Sequence, residues 1–270
     1  MTVSETLETP DFGEHLRLDV SDDIATVTFD RPPVNAIDRP TMGQLAELFD
    51  SLRDRRDVRV AIFTATGQRA FVAGIDLKTF TQESEEPTPS QVLDPGARAR
   101  SAMWAIKGSG VPVIAAVNGP AIGAGLALAA CCDIIVAAEG ATFGTTEINV
   151  GLLGASSHLT RLVGPYKARE MFFTGELVPA EELHRLGAVR AVVPHDQLAE
   201  TARDLARTLA AKSPLALRLA KESMDRVDGL PLEDAYRIEQ DYTDRLLRLD
   251  DATEARRAFF EKREPRWSWR

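Results

Sequence analysis

Cysteine is nearly absent from this 270-residue chain: it has two, Cys131 and Cys132, side by side in an apolar run. Neighbouring cysteines rarely pair and two cannot build a disulfide framework, so they read as buried thiols of a reducing, cytoplasmic compartment. Metal-ligand spacing is lacking as well, because His15, His158, His184 and His195 fall among unlike elements. There is no basic excess: 32 Lys and Arg stand against 41 Asp and Glu, a net charge of −9. That argues against nonspecific nucleic-acid binding, and any phosphorylated ligand must meet a local basic patch. The first residues, Met1-Thr-Val-Ser-Glu-Thr-Leu-Glu8, have neither the basic segment nor the apolar one of a secretion signal. The chain has no internal repeat and no dinucleotide-binding fingerprint.

Charge is missing altogether from residues 111–132, a length that could suggest a membrane span. Pro112, Asn118, Gly119 and Pro120 interrupt it, and a Val/Ile-rich half gives way to an Ala/Leu-rich one. The run therefore reads as a buried strand (Val113–Val117), a turn and a buried helix (Gly125–Cys132), not as a membrane segment. With 44% hydrophobic and 27% charged residues, the composition is that of an ordinary globular protein.

Strands and helices alternate along the first two hundred residues. His15–Val20 and Ile24–Phe29 flank Ser21-Asp-Asp23 as a hairpin. A helix is expected over about Pro40–Arg53, capped by Asp38 or Thr41, with Leu45, Leu48, Phe49 and Leu52 at helical spacing. Strands follow at Val58–Ala65 and, briefly, Phe71–Ala73. Gln82–Pro95, rich in Glu, Pro and Ser, reads as an exposed loop before a helix over Val92–Lys107, and Ile134–Ala138 closes the series as a strand. Repeated β-β-α units of this kind suggest a coiled α/β spiral. Beyond Pro194 the texture changes to amphipathic helix from Asp196 to Lys262, with Leu198, Leu205, Leu209, Leu215, Leu219, Leu246, Leu249 and Phe259 recurring. A soft boundary is placed at 200, separating a core of residues 1–200 from a helical region of residues 201–270.

Two segments could present backbone N–H groups to a developing negative charge. Ala73-Gly74-Ile75-Asp76-Leu77 follows a strand and opens a helix; Gly123-Ala124-Gly125 lies where a strand passes into the apolar helix. Stabilising an enolate oxygen takes two such donors, plus an acid or base near the reacting carbon. Glu147, in Phe143-Gly-Thr-Thr-Glu147 and among Phe143, Ile148, Val150 and Leu152, reads as that group and as a buried, poised carboxyl. Short glycine motifs also occur as plain strand–helix turns, and most glutamates are surface acids.

Taken together, Phe71-Val-Ala-Gly-Ile-Asp-Leu-Lys78, Ala116-Val-Asn-Gly-Pro-Ala-Ile-Gly-Ala-Gly-Leu-Ala-Leu-Ala-Ala-Cys-Cys-Asp133 and Phe143-Gly-Thr-Thr-Glu-Ile-Asn-Val-Gly151 resemble the signature segments of the enoyl-CoA hydratase/isomerase (crotonase) superfamily. Arg31-Pro-Pro-Val-Asn-Ala-Ile37, Leu159-Thr-Arg-Leu-Val-Gly164 and Phe259-Phe-Glu-Lys-Arg-Glu-Pro265 extend the likeness over essentially the whole chain. The resemblance implies a crotonase-like α/β spiral of ββα units with a C-terminal α-helical region that makes a homotrimer, or a hexamer built as a dimer of trimers. It also implies an acyl-CoA substrate, with no cofactor apart from the CoA that the substrate carries, no metal, and neither nucleic acid nor membrane as a partner. By position, the N–H groups of Ile75 and Ala124 form the oxyanion hole and Glu147 is the second catalytic glutamate. Ala73, Asp76, Lys78, Gly123 and Lys262 fall at acyl-CoA-binding positions, Lys262 reaching a neighbouring subunit's CoA; both lysines also read as solvated surface residues.

This chain departs from the pattern in places. The family's first hydratase glutamate falls on Ala127, so a water molecule loses half of its clamp. One remaining base can still move a proton between C2 and C4, which favours Δ3,Δ2-enoyl-CoA isomerisation. Hydration by a single carboxylate and non-catalytic acyl-CoA binding are the alternatives. The aspartate of dienoyl-CoA isomerases falls near Ala155, and a lysine that often follows the early Arg-Pro is Pro33. His158 reads as part of a polar helix start with Ser156 and Ser157, or as a lining residue of the acyl pocket.

Overall fold

The computed structural model describes residues 11–78 and 88–270. Strands β1 (Leu16–Ser21) and β2 (Ile24–Phe29) pair antiparallel across a two-residue turn. Asp22 and Asp23 both take positive φ, +56° and +61°, the twist such a tight hairpin requires. From β2 onward the main sheet is parallel, through β3 (Val60–Ala65), β4 (Val113–Val117), β6 (Ile134–Ala138) and β9 (Ala191–Val193), in the order β1-β2-β3-β4-β6-β9. A small second sheet has the order β5-β7-β8, from Ala121–Ile122, Thr142–Gly144 and Val178–Pro179. This is the mixed α/β spiral expected, with a helical C-terminal region.

Both faces of the main sheet are covered, which is why its strands are apolar throughout. Successive side chains of β3 go to opposite sides. Ala61 and Phe63 join the principal core, where the Phe63 ring meets Phe49 and Phe71 edge-on. Val60 and Ile62 pack instead with Ile114, Ala116, Val136 and the helix Leu198–Ala210. That helix turns Leu198, Ala202, Ala206 and Ala210 to the sheet, a four-residue repeat of mostly small side chains that allows close approach.

The helix Ala124–Cys131 is interior on every side, in keeping with its uninterrupted apolar sequence. Burial pushes the Cys131 thiol up to about 12, which keeps it protonated and unreactive. Among the described residues, no helix is long and apolar enough to cross a membrane.

Several elements differ from the sequence reading. The first helix spans Arg39–Ser51, and of its two candidate caps it is Asp38 that accepts the Thr41 N–H, at 2.9 Å. Phe71–Ala73 is not a strand but a single parallel bridge, Val72 to Ala121. The helix expected over Val92–Lys107 is two, Pro89–Leu93 and Ala97–Lys107, because Pro95 disfavours helical backbone at Asp94. The loop expected from Gln82 thus ends at Thr88, and its residues 82–87 lie outside those described. The single helical texture after Pro194 resolves into four helices, Leu198–Ala210, Pro214–Val227, Leu232–Leu247 and Asp250–Glu261, broken at Ser213-Pro214, Gly229 to Pro231 and Leu249.

Polar clamps fasten the C-terminal helices. Lys221 Nζ, on an almost wholly buried side chain, pairs with Asp133 Oδ2 at 2.6 Å, and the same oxygen accepts the Val113 N–H. The Arg218 guanidinium donates to the carbonyls of Arg53 and Arg55 at 2.6 and 2.8 Å. Asp251, fully buried, accepts from the Ser268 N–H and hydroxyl and from the Trp269 N–H, folding the end of the chain back on the last helix.

Candidate active site

Three chain segments converge beside the N-terminus of the helix Ala124–Cys131. Residues 72–75 run alongside residues 121–125: Ile122 donates to the Val72 carbonyl at 3.0 Å, and a Cβ on Gly125 would collide with that carbonyl. Glycine at 125 is what lets the helix start against a neighbouring backbone. The third segment, the 3-10 turn Glu147–Val150, brings Glu147 against Gly123, the residue that precedes the helix.

Each expected donor has a free N–H. Ile75 lies in a parallel bridge with Ile37, in which Ile37 donates to the Gly74 carbonyl and the Asp76 N–H donates back to Ile37. In that pattern the flanking residues make the bonds, and the N–H of Ile75 itself has no partner among the described residues. Ala124 is the first residue of its helix, so its N–H has no carbonyl one turn back. Its predecessor Gly123 adopts φ +54° and ψ −111°, open to glycine alone, while donating to the Gly144 carbonyl at 2.9 Å. The Ala124 N–H thus adds to the positive end of the helix dipole.

Glu147 is half-buried rather than enclosed, and the residues expected to bury it do otherwise. Phe143 is buried, but Ile148, Val150 and Leu152 are exposed. A 3-10 turn followed by loop does not direct successive apolar side chains to one side. Shielding of the carboxyl comes from backbone instead. Its Oε1 lies against Gly123 and Gly154, and its Oε2 is out of solvent with no hydrogen-bond partner. An unpaired buried acceptor costs about 1–3 kcal/mol, and where one survives, a functional explanation is called for.

Ala127 sits one turn into the helix, its N–H donating to the Gly123 carbonyl at 3.0 Å, and is almost fully buried. Side chains four apart share a helix face and lean toward its N-terminus. Position 127 is thus tied to Gly123, against which the Glu147 carboxyl rests, and this chain places a methyl group there.

The remaining expected residues are spread out. Ala73 donates to the Val34 carbonyl at 3.2 Å. Asp76 is engaged: Oδ2 pairs with Arg31 at 2.8 Å, while Oδ1 accepts the Lys78 N–H as the chain turns helical at Leu77 and Lys78. Lys78 and Lys262 are both exposed, the latter ending the last helix at φ +53°. His158 lies on the helix Ser156–Val163, half-buried, with Nδ1 out of solvent and unpartnered. Burial first, then the charges of Arg161 and Lys107, lower its pKa. Ala155, where the dienoyl aspartate would fall, starts that helix in the left-handed region at φ +55°. Sequence reasoning missed Gly154, since a glycine in a loop carries no signal until its neighbour is known.

The enoyl-CoA hydratase/isomerase family profile matches residues 19–270. A Mycobacterium tuberculosis protein named (7aS)-7a-methyl-1,5-dioxo-2,3,5,6,7,7a-hexahydro-1H-indene-carboxyl-CoA hydrolase is 41% identical over 239 residues, 88% of this chain and 95% of that one. The carnitinyl-CoA dehydratase of Salmonella typhimurium is 38% identical over 265 residues, 96% of this chain and 100% of its own. The crystal structure of an enoyl-CoA hydratase from Bacillus anthracis superposes with a TM-score of 0.87 at 30% identity, covering 94% of this chain and 99% of that one. With its signature segments meeting at one helix N-terminus and residues 19–270 matched, the chain belongs to the enoyl-CoA hydratase/isomerase family, as an enzyme that acts on CoA thioesters.

Proposed function

We propose that the enzyme moves a double bond from the 3,4 to the 2,3 position of an enoyl-CoA, with Glu147 as its single acid/base. The observation that carries this reading is a single carboxyl, Glu147, set against Gly123 at the start of a helix whose position 127, bonded back to Gly123, carries a methyl group and not a second acid. In this reading the thioester oxygen rests on the N–H groups of Ile75 and Ala124. Glu147 lifts a proton from C2, and the electron pair moves into the carbonyl to give a dienolate held by the two donors. The same carboxylic acid then returns the proton to C4, leaving the double bond between C2 and C3. No water takes part, so one carboxyl suffices. Ala73, Asp76, Gly123, Lys78 and Lys262 would border the CoA, the two lysines meeting its phosphates, and CoA arrives with the substrate.

Hydration by one carboxylate is the second reading, favoured by relatives whose names, a dehydratase and a hydrolase, concern adding or removing water. The two readings separate on crotonyl-CoA hydration and 3-hexenoyl-CoA isomerisation, both followed at the enoyl absorbance, in wild type and Ala127→Glu. Isomerisation should dominate in the wild type, and Ala127→Glu should raise the hydration-to-isomerisation ratio. Its buried carboxyl should cost about 1–3 kcal/mol of stability. Fast hydration by the wild type would sink the isomerase reading.

We also propose that residues 201–270 carry a homotrimer, as such or paired into a hexamer. Leu232, Phe259 and Phe260 are each about four-fifths exposed, more apolar surface than single scattered residues account for. Light scattering at micromolar concentration should give three or six chains; a monomer would end the idea.

A further inference from the structure

The loop that leads from Glu147 into the next helix holds a glycine with no backbone reason to be one. Eleven described glycines take positive φ, and Gly154 is not among them. Left-handed backbone therefore does not reserve the position for glycine. What a side chain would meet there is the carboxyl of Glu147: a Cβ on Gly154 would lie 2.7 Å from Oε1, 3.3 Å from Cδ and 3.5 Å from Cγ, its three nearest heavy atoms. Carbon and oxygen in ordinary contact stand about 3.4 Å or more apart, so the carboxyl would have to retreat by roughly 0.7 Å.

We propose that Gly154 is a positioning residue: its bare Cα is the wall that sets the Glu147 carboxyl against the acyl group. The proposal rests on the reading of Glu147 as acid/base. Gly123 forms the opposite wall, since a Cβ there would strike the same oxygen. Gly123 cannot be tested cleanly, because at φ +54° and ψ −111° any side chain strains the backbone as well. Gly154 separates the two effects. The turn that places it is made by Ala155, whose left-handed conformation swings the chain into the helix Ser156–Val163 and lays Gly154 on the carboxyl. Oε1 lies against two glycines and Oε2 has no hydrogen-bond partner among the described residues, so steric fit sets the group's orientation. Displacing Oε1 moves both oxygens, and shifts below an ångström are expensive in proton transfer.

The test is a cycle of Gly154→Ala, Glu147→Asp and the double variant, with 3-hexenoyl-CoA isomerisation and exchange of the C2 protons of butyryl-CoA in deuterium oxide as readouts. In the native background Gly154→Ala should lower kcat by about 10- to 100-fold, with KM and the melting temperature nearly unchanged. Aspartate is one methylene shorter and withdraws its oxygens from position 154. Gly154→Ala should then cost less than about three-fold in the Glu147→Asp background, the non-additivity expected of touching residues. A crystal structure of Gly154→Ala should show the Glu147 carboxyl displaced and the backbone in place. Equal losses in both backgrounds, or a carboxyl that has not moved, would overturn the positioning role. Glu147→Gln keeps the two failures apart. Full turnover by that variant overturns the acid/base reading itself, whereas an inactive Glu147→Gln beside a normal Gly154→Ala overturns the positioning role alone.

Discussion

Between Val113 and Gly154 the candidate site is framed by backbone; between Leu198 and Arg270 the chain is held in position with charge. The first region offers the N–H of Ala124, glycines that admit a neighbour's carbonyl or carboxyl, and one side chain, Glu147, and the Ile75 segment joins it from earlier in the chain. In the second, Lys221 is buried on Asp133, Arg218 is spread over the carbonyls of Arg53 and Arg55, and Asp251 clasps Ser268 and Trp269. Loss of the Ala124 N–H or of the Glu147 charge should therefore change rate at little cost in stability. Substitutions at the polar clamps of the second region should change stability and leave rate alone.

The largest effect is expected at Ala124. Proline there deletes the N–H without breaking an intrahelical bond, because the first helical position favours proline and the N–H has no intrahelical partner to lose. Turnover should fall by about 10²–10³, with acyl-CoA affinity much less affected. Near-normal turnover in a folded Ala124→Pro variant would remove Ala124 from the oxyanion hole and blur the contrast.

Lys221→Met tests the other side of the comparison. Asp133 is partly exposed and keeps its bond from the Val113 N–H, so a loss of about 1–3 kcal/mol is expected, not that of a fully stranded charge. Denaturant melts should show it, while kcat per folded molecule stays the same. A rate change without a stability change would mean that the helical region reaches into the chemistry.

The smallest effect concerns pH. Burial, Arg161 and Lys107 lower the pKa of His158 in the folded protein, so below about pH 6.5, the ordinary value, the unfolded chain takes up the proton more readily. Stability is thereby lost as pH falls through that value. His158→Gln should lose less stability than the wild type between pH 7 and pH 5; an identical slope would show that His158 is protonated as easily folded as unfolded.

Much of this molecule could be read before folding, and the exceptions have a common cause. The strand Val113–Val117 and the apolar helix were legible because a charge-free run broken by Pro112 and Pro120 has one sensible arrangement in water. The family was legible from segments that stand in order along the chain, among them those of Ile75, Ala124 and Glu147. Ile148, Val150 and Leu152 misled, since hydrophobicity does not state which way a 3-10 turn points its side chains. Pro95 was passed over inside an otherwise helical stretch, although it alone splits that stretch in two.

By itself, the sequence determined the family, the alternation of strand and helix, the free N–H of Ala124 at a helix start, and the presence of one acid where two could stand. Each depends on local order along the chain: a glycine beside a helix start, a methyl at position 127, a proline in a run. Only the tertiary structure decided that Gly123 and Gly154, 31 positions apart, close on the same carboxyl oxygen, and that Lys221 finds Asp133 across 88 residues. The physical reason is contact distance. A Cβ at 2.7 Å from an oxygen is forbidden, but which oxygen arrives there is set by packing between segments that share no local pattern.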